Sequence, residues 1–255
     1  MKIKLTPALA FAATITCATQ AQAVFIGDVS GNLYDLDTTT NTSILIGNSG
    51  MGAMYDIALD PISNLLYGVT GSGTLESINQ TTGAATSIGS TGAFINGLTF
   101  SSTGTLYGSG GTGLYTINLG SGSASSVGST GYSSSGDLAF DNLGNLFMSA
   151  TGGSGDLLVS LNTATGSGTL IGDIGVNNVY GLNFSGSTLY GFTAGGTTLD
   201  IDMVTGAGTE LASNGIAAYG ADGVGGVADL TEPTTLALLG MGVAGLASRR
   251  KKETA

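Results

Sequence analysis

Carboxylates are almost the only chemically useful side chains in the long middle of this sequence. Between Val24 and Leu230, Asp and Glu occur fifteen times, and Lys, Arg, His and Cys do not occur at all. That composition removes Ser-His-Asp and Cys-His sites, lysine nucleophiles, thiolate or imidazole zinc sites, and basic clamps for phosphate. Two-acid chemistry remains, of the kind that hydrolyses glycosidic bonds. The candidates are Asp56, Asp137, Asp141, Asp156, Asp173, Asp200 and Asp202. Asp56 and Asp137 share one column of an internal repeat, ahead of Ile57 and Leu138, where Gly97 and Gly181 stand in neighbouring units. A ring built on that repeat would bring both acids to one rim. Glycosidase clefts use aromatic platforms, however, and the chain has no Trp. The expectation is therefore no catalytic residue and no enzyme, with a carboxylate-based glycan hydrolase as an alternative.

The same acids could serve a hard cation. Asp35-Leu36-Asp37 and Asp200-Ile201-Asp202 put carboxylates two residues apart, on one face of a strand. Oxygen ligands suit Ca²⁺, but the remaining ligands of a calcium loop are missing, so solvated acids flanking turns are the default and no cofactor is expected. Fifteen acids without a cation give this stretch a charge of about −15 at neutral pH. It should repel nucleic acid and anionic lipid, and attract divalent cations or basic partners. The glycine-rich run Gly108 to Gly113 lacks the Lys and following helix of a phosphate loop, and is read as a blade-to-blade connection.

The elements that hold these acids follow from a repeat. An aliphatic residue followed by a small one recurs at Ile46-Gly47, Ile88-Gly89, Val127-Gly128, Ile171-Gly172 and Leu211-Ala212, in steps of 42, 39, 44 and 40. Four residues after each aliphatic comes a glycine: Gly50, Gly92, Gly131, Gly175 and Gly215. Upstream, each copy has a turn ending at Asn41, Gly83, Gly122, Gly166 or Gly206. Within a unit, short alternating runs are bounded by Gly, Ser, Thr or Asn, as antiparallel strands require. The 42 percent hydrophobic content, gathered into regular clusters, argues against disorder despite 45 glycines. Four strands per unit of about forty residues is the pattern of a β-propeller blade.

An aliphatic-aromatic pair marks how the ring should close. It occurs at Leu66-Tyr67, Leu106-Tyr107, Leu146-Phe147 and Leu189-Tyr190, is missing from the fifth unit, and reappears near the start as Val24-Phe25. The first segment thus supplies the strand that the last unit lacks, and pairing the two hides two strand edges. The prediction is an all-β propeller of five four-stranded blades closed by the N-terminal strand, with an open β-repeat solenoid as the alternative. The turn Asp141 to Phe147, DNLGNLF, resembles the turn of NHL-type propellers, with looser copies at Asp60 to Gly68 and Ser101 to Gly108. Asp in such a turn bonds its own backbone, so its expected role is structural.

All six cations lie at the ends. Lys2 and Lys4 precede an apolar stretch that finishes at Ala21-Gln22-Ala23, the layout of a secretory signal peptide cut after Ala23 by signal peptidase. Such a cut would remove Cys17, the only cysteine. At the other end, the apolar run Leu236 to Ala247 leads into Arg249, Arg250, Lys251 and Lys252. Twelve residues rise about 18 Å as a helix, against a hydrocarbon core of about 30 Å. The cations would keep the tail on the cytoplasmic side during export. A short, glycine-interrupted run fits a temporary stop better than a permanent anchor.

This tail resembles the PEP-CTERM sorting signal of Gram-negative bacteria. Glu232 and Pro233 match its Pro-Glu-Pro motif, Leu236 to Ala247 its helix, and Arg249 to Lys252 its basic cluster, while Thr231 stands where the first proline usually falls. The resemblance implies transient insertion in the inner membrane, recognition by an exosortase, and release to the cell surface or extracellular matrix. It also implies a structural or adhesive role linked to exopolysaccharide and biofilm. The chain accordingly divides into a signal peptide (1–23), a repeat domain (24–230) and a sorting segment (231–255). A propeller that binds a sugar, a peptide or Ca²⁺ is the alternative function.

Overall fold

The computed structural model describes residues 23–223. Cys17, Ala21, Thr231, Glu232, Pro233, Arg249, Arg250, Lys251 and Lys252 lie outside the described residues. The chain begins with β1 (Ala23–Asp28), β2 (Asn32–Asp37) and β3 (Thr42–Asn48). Then come β4 (Met54–Leu59), β5 (Leu66–Thr70), β6 (Thr74–Ile78) and β7 (Ala85–Ser90), followed by β8 (Gly97–Phe100), β9 (Leu106–Gly110), β10 (Gly113–Ile117) and β11 (Ala124–Ser129). Next are β12 (Ser134–Phe140), β13 (Leu146–Ala150), β14 (Leu157–Leu161) and β15 (Gly168–Asp173). The last five are β16 (Val179–Ser185), β17 (Thr188–Thr193), β18 (Thr197–Ile201), β19 (Gly208–Ser213) and β20 (Ala218–Gly223).

These strands form five antiparallel sheets of four. Each later sheet is one consecutive quartet, so blades I to IV run β4–β7, β8–β11, β12–β15 and β16–β19. Blade V has the order β20-β1-β2-β3, so it joins the last described strand to the first three. The innermost strands β4, β8, β12, β16 and β20 follow one another around a central channel. The fold is a five-bladed β-propeller, and it is closed. Val24 faces Gly223, Phe25 faces Asp222 and Ile26 faces Ala221 across the β1–β20 ladder. Val24 and Ile26 are fully buried, in one cluster with Leu36, Phe192, Ile216, Ala218 and Ala221. No edge is left for an open solenoid.

The repeat landmarks are the contacts between blades. A Cβ on Gly47 of β3 would clash with Thr82 O in the β6–β7 turn, and a Cβ on Gly83 in that turn would lie 2.6 Å from the carbonyl carbon of Gly47. The same glycine-on-glycine contact recurs as Gly89 with Gly122, Gly128 with Gly166, and Gly172 with Gly206. At the fifth junction Asn41, at φ 54°, replaces the turn glycine. Its Nδ2 donates to Ser213 O at 2.6 Å and its Oδ1 accepts from Thr198 Oγ1 at 2.9 Å. The aromatic landmark has a parallel explanation. Tyr67, Tyr107 and Phe147 each pack on a ring of the next blade, respectively Phe100, Phe140 and Phe184, with centroids 5.5 to 5.6 Å apart. The Gly108 to Gly113 run corrects the expectation from sequence. It is the hairpin between β9 and β10 inside blade II, because Gly108, Gly110 and Gly113 pair as ladder residues and Gly111 takes φ 54° at the tip.

Candidate functional site

Every innermost strand runs the same way, so the channel has two distinct mouths. The upper mouth lies where those strands begin and the lower mouth where they end. At the upper mouth, corresponding positions hold Tyr55, Asn96, Gly136, Tyr180 and Tyr219, one per blade. With Phe94 and Ser135 they line a concavity of about 410 Å³. The rings pack on one another: Tyr180 and Tyr219 at 5.2 Å, Tyr55 and Tyr219 at 6.4 Å, Tyr55 and Phe94 edge-on at 6.2 Å. Gly136 permits this, since a Cβ there would lie 2.6 Å from Tyr180 Cα. The Tyr180 hydroxyl donates to Asn178 Oδ1 at 2.8 Å. Asn96 donates to Ser135 O at 3.3 Å, and its own Oδ1 is buried without a partner. The collar therefore offers part-exposed ring faces and hydroxyls, a set suited to a polyol or a sugar ring.

Asp56 and Asp137 lie one residue further along the channel. The structure does bring these two sequence candidates together, inside the channel and fully buried. Asp56 accepts from Ile57 N at 2.7 Å and from Leu98 N of blade II at 2.5 Å. Asp137 accepts from Leu138 N at 2.5 Å and from Leu182 N of blade IV at 2.5 Å. Burial pushes both carboxyls well above the usual range, and Asp137 raises Asp56 further through charge and a hydrogen bond. Like charges this deep share protons instead of both ionising. Gly220, from the same column, makes the room: a Cβ there would collide with Asp56 Oδ1.

The other candidates are occupied locally. Asp37 and Asp202 share a column with Asn79, Asn118 and Asn162, each accepting from the N–H groups two and three residues on, at 2.7 to 3.1 Å. An uncharged amide does this at three of five turns, so the position needs an acceptor and not a charge. These bonds hold Asp37 and Asp202 below the usual carboxylate range. Asp202 lies beyond the end of β18. Asp35 is raised by burial and then by Asp37. Asp200 is exposed on β18, away from the channel. Among the described residues no three Asp, Glu, His or Cys side chains gather as a metal site would need. Asp141 caps its own turn, accepting from Leu143 N at 2.9 Å and Asn145 N at 2.7 Å. Asp156 accepts from Ser135 Oγ at 2.7 Å and Val179 N at 2.8 Å, tying blade III to the start of blade IV. Asp173 accepts from Ser154 Oγ at 2.5 Å and from Gly175 N at 2.7 Å.

The lower mouth, a concavity of about 660 Å³ open to solvent, is lined by Leu59, Phe100, Phe140, Phe184, Asn183 and Asp222 among others. Asp222 accepts from Leu59 N of blade I at 2.8 Å, and burial raises its carboxyl to about 7. Sequence reasoning missed the tyrosine collar and Asp222. The signal for the collar was present: Tyr55, Tyr180 and Tyr219 each precede the Asp/Gly column by one residue.

Residues 231–251 match the PEP-CTERM protein-sorting motif. That motif implies an exported protein, recognised by an exosortase through a membrane-anchored C-terminal signal. No curated protein sequence matches the chain. Among solved structures, a chain of a nidogen/laminin complex is similar with TM-score 0.55 and 16% identity, over 80% of this chain and 86% of that one. A symmetrical protein from work on de novo evolutionary emergence aligns at TM-score 0.49 and 18% identity, covering 78% of this chain and 93% of that one. At such identities the first likeness supports the propeller fold and nothing finer.

Proposed function

We propose that this exported chain, sorted through its PEP-CTERM motif, is a non-enzymatic module that holds a neutral glycan segment at the upper mouth. Its role is then adhesive or structural, at the cell surface or in the exopolysaccharide matrix. The observation that carries the reading is the collar of Tyr55, Tyr180, Tyr219 and Phe94, whose rings are part-exposed where burial would be the default for a monomer core. Sugar rings present C–H faces that stack on aromatic rings, while Asn96 and Ser135 supply polar partners at the same mouth. Neutral glycan is preferred because the body carries only negative charge.

The carboxylate pair supports a hydrolase less well. All four oxygens of Asp56 and Asp137 accept main-chain N–H groups, two of them from a neighbouring blade, so the pair staples the ring. Retention on immobilised matrix polysaccharide tests the binding reading. Replacing Tyr180→Ala and Tyr219→Ala together should weaken retention at least about tenfold, a loss of about 1.4 kcal/mol, with the fold intact. Retention unchanged in that variant would sink the proposal.

A further inference from the structure

Both described ends of the chain leave the ring at the lower mouth. β1 starts there and β20 stops there, with Val24 directly opposite Gly223. Only seven residues, Val224 to Leu230, separate Gly223 from the sorting motif that begins at residue 231. The apolar run itself starts at Leu236, and thirteen peptide steps from Gly223 reach at most about 45 Å when fully extended. A 200-residue domain has a radius of gyration of about 16 Å, so even fully extended this tether reaches only about one domain width. The tether therefore keeps the body close to the surface into which the apolar tail is inserted, and it leaves from the lower face.

That face also carries bare hydrophobic side chains at three turn tips, each more exposed than Val29 (44%) and Phe94 (58%) on the upper face. Ile62 in the β4–β5 turn is 68% exposed, Leu143 in the β12–β13 turn 84%, and Val204 in the β18–β19 turn 86%. Leu65 adds a fourth at 52%. Turn tips ordinarily hold Gly, Asn, Asp or Ser, and such residues stand at the upper tips Ser30, Ser72 and Gly111. The acids of the lower turns, Asp37, Asp60, Asp141 and Asp202, direct oxygens onto their own backbone N–H groups.

We infer that the lower face docks on the lipid surface that holds the sorting tail, with Ile62, Leu143 and Val204 dipping into its interfacial layer. The tyrosine mouth then points away from the membrane and stays accessible while the protein is tethered. The inference is independent of what the tyrosines bind. The body's charge restricts the partner to a zwitterionic lipid surface, because anionic headgroups would repel it.

The test uses the full chain with its tail, Cys17→Ser, reconstituted in phosphatidylethanolamine–phosphatidylcholine vesicles. Single cysteines, Leu143→Cys, Val204→Cys or Ser72→Cys, carry an environment-sensitive fluorophore. The Leu143 and Val204 labels should be blue-shifted and quenched by nitroxide lipids, and the Ser72 label should respond only to aqueous quenchers. Equal aqueous quenching at all three sites would overturn the inference. A second variant, Ile62→Ser with Leu143→Ser and Val204→Ser, labelled at Ser121→Cys in a lower turn, should lose lipid quenching with its melting temperature unchanged. Lipid quenching that persists there would show that the tether alone holds the face near lipid, and would also overturn it.

Discussion

The two mouths of one channel use aromatic residues in opposite ways. At the lower mouth Phe100, Phe140 and Phe184 each pack on a ring of the preceding blade, and all but Phe140 are buried. At the upper mouth Tyr55, Tyr180 and Tyr219 pack mainly on each other and keep part of their faces in solvent. A ring whose partner is another blade is fixed by the fold. A ring whose partners are its counterparts across an open mouth can exchange them for a ligand. The lower mouth is thus the structural one and the upper mouth is the candidate site.

That contrast can be broken at four levels. Removing Val24 to Ile26 deletes the centre of the strand that seals the ring and should abolish both mouths together. The expected result is loss of cooperative unfolding, read by calorimetry, and a stable, unchanged product would contradict the closure. Next, Phe184→Ala should cost about 3–5 kcal/mol, as truncating a large buried ring does, without lowering glycan affinity in the folded fraction. Equal loss of binding and stability would erase the distinction between the mouths.

Glu76 offers a control remote from both mouths. It is fully buried in β6, neither carboxyl oxygen has a partner, and burial raises it to about 7. Its counterparts at the strand irregularity shared by all blades are Tyr34, Tyr115, Val159 and Leu199. Because the folded value lies above the unfolded one, the folded state holds the proton more tightly. The contribution of Glu76 to stability is therefore highest below pH 4.5, falls as pH rises to about 7, and is level above that. Glu76→Val should remove this contribution, leaving that of Asp222, and gain roughly 3 kcal/mol at pH 8, from 1.36 kcal/mol per pH unit, with binding unchanged. Urea melts at pH 4.5 and 8 read the difference, and equal gains at both would refute a buried, strained carboxyl. The smallest stability effect belongs to the tyrosine pair. Tyr180→Ala with Tyr219→Ala should shift the urea midpoint little while affinity falls, and a large midpoint loss would make the collar part of the core.

Much of the fold was legible because each blade repeats the same local rules. Gly83, Gly122, Gly166 and Gly206 sit at positive φ, and the strands alternate between turn residues at even spacing. The closure was legible because Val24-Phe25 repeats a pair that the last unit lacks. The Gly108 to Gly113 run was misplaced because glycine marks hairpin tips and blade junctions alike. Asp56 and Asp137 were correctly put in one column, but their burial was hidden, since it depends on how five innermost strands crowd the channel. Glu76 looked like any strand acid, and nothing within its own segment says that it is buried.

The repeat, the positive charge restricted to the ends, and the sorting motif are properties of order along the chain, so the sequence determined them alone. Which side chains meet across the channel was decided only when the ring closed. Residues such as Tyr55 and Tyr219 lie far apart in sequence and become neighbours through the β1–β20 ladder. Local propensity acts over a few residues, whereas the spacing of five blades around one axis is a collective result of packing every interface at once.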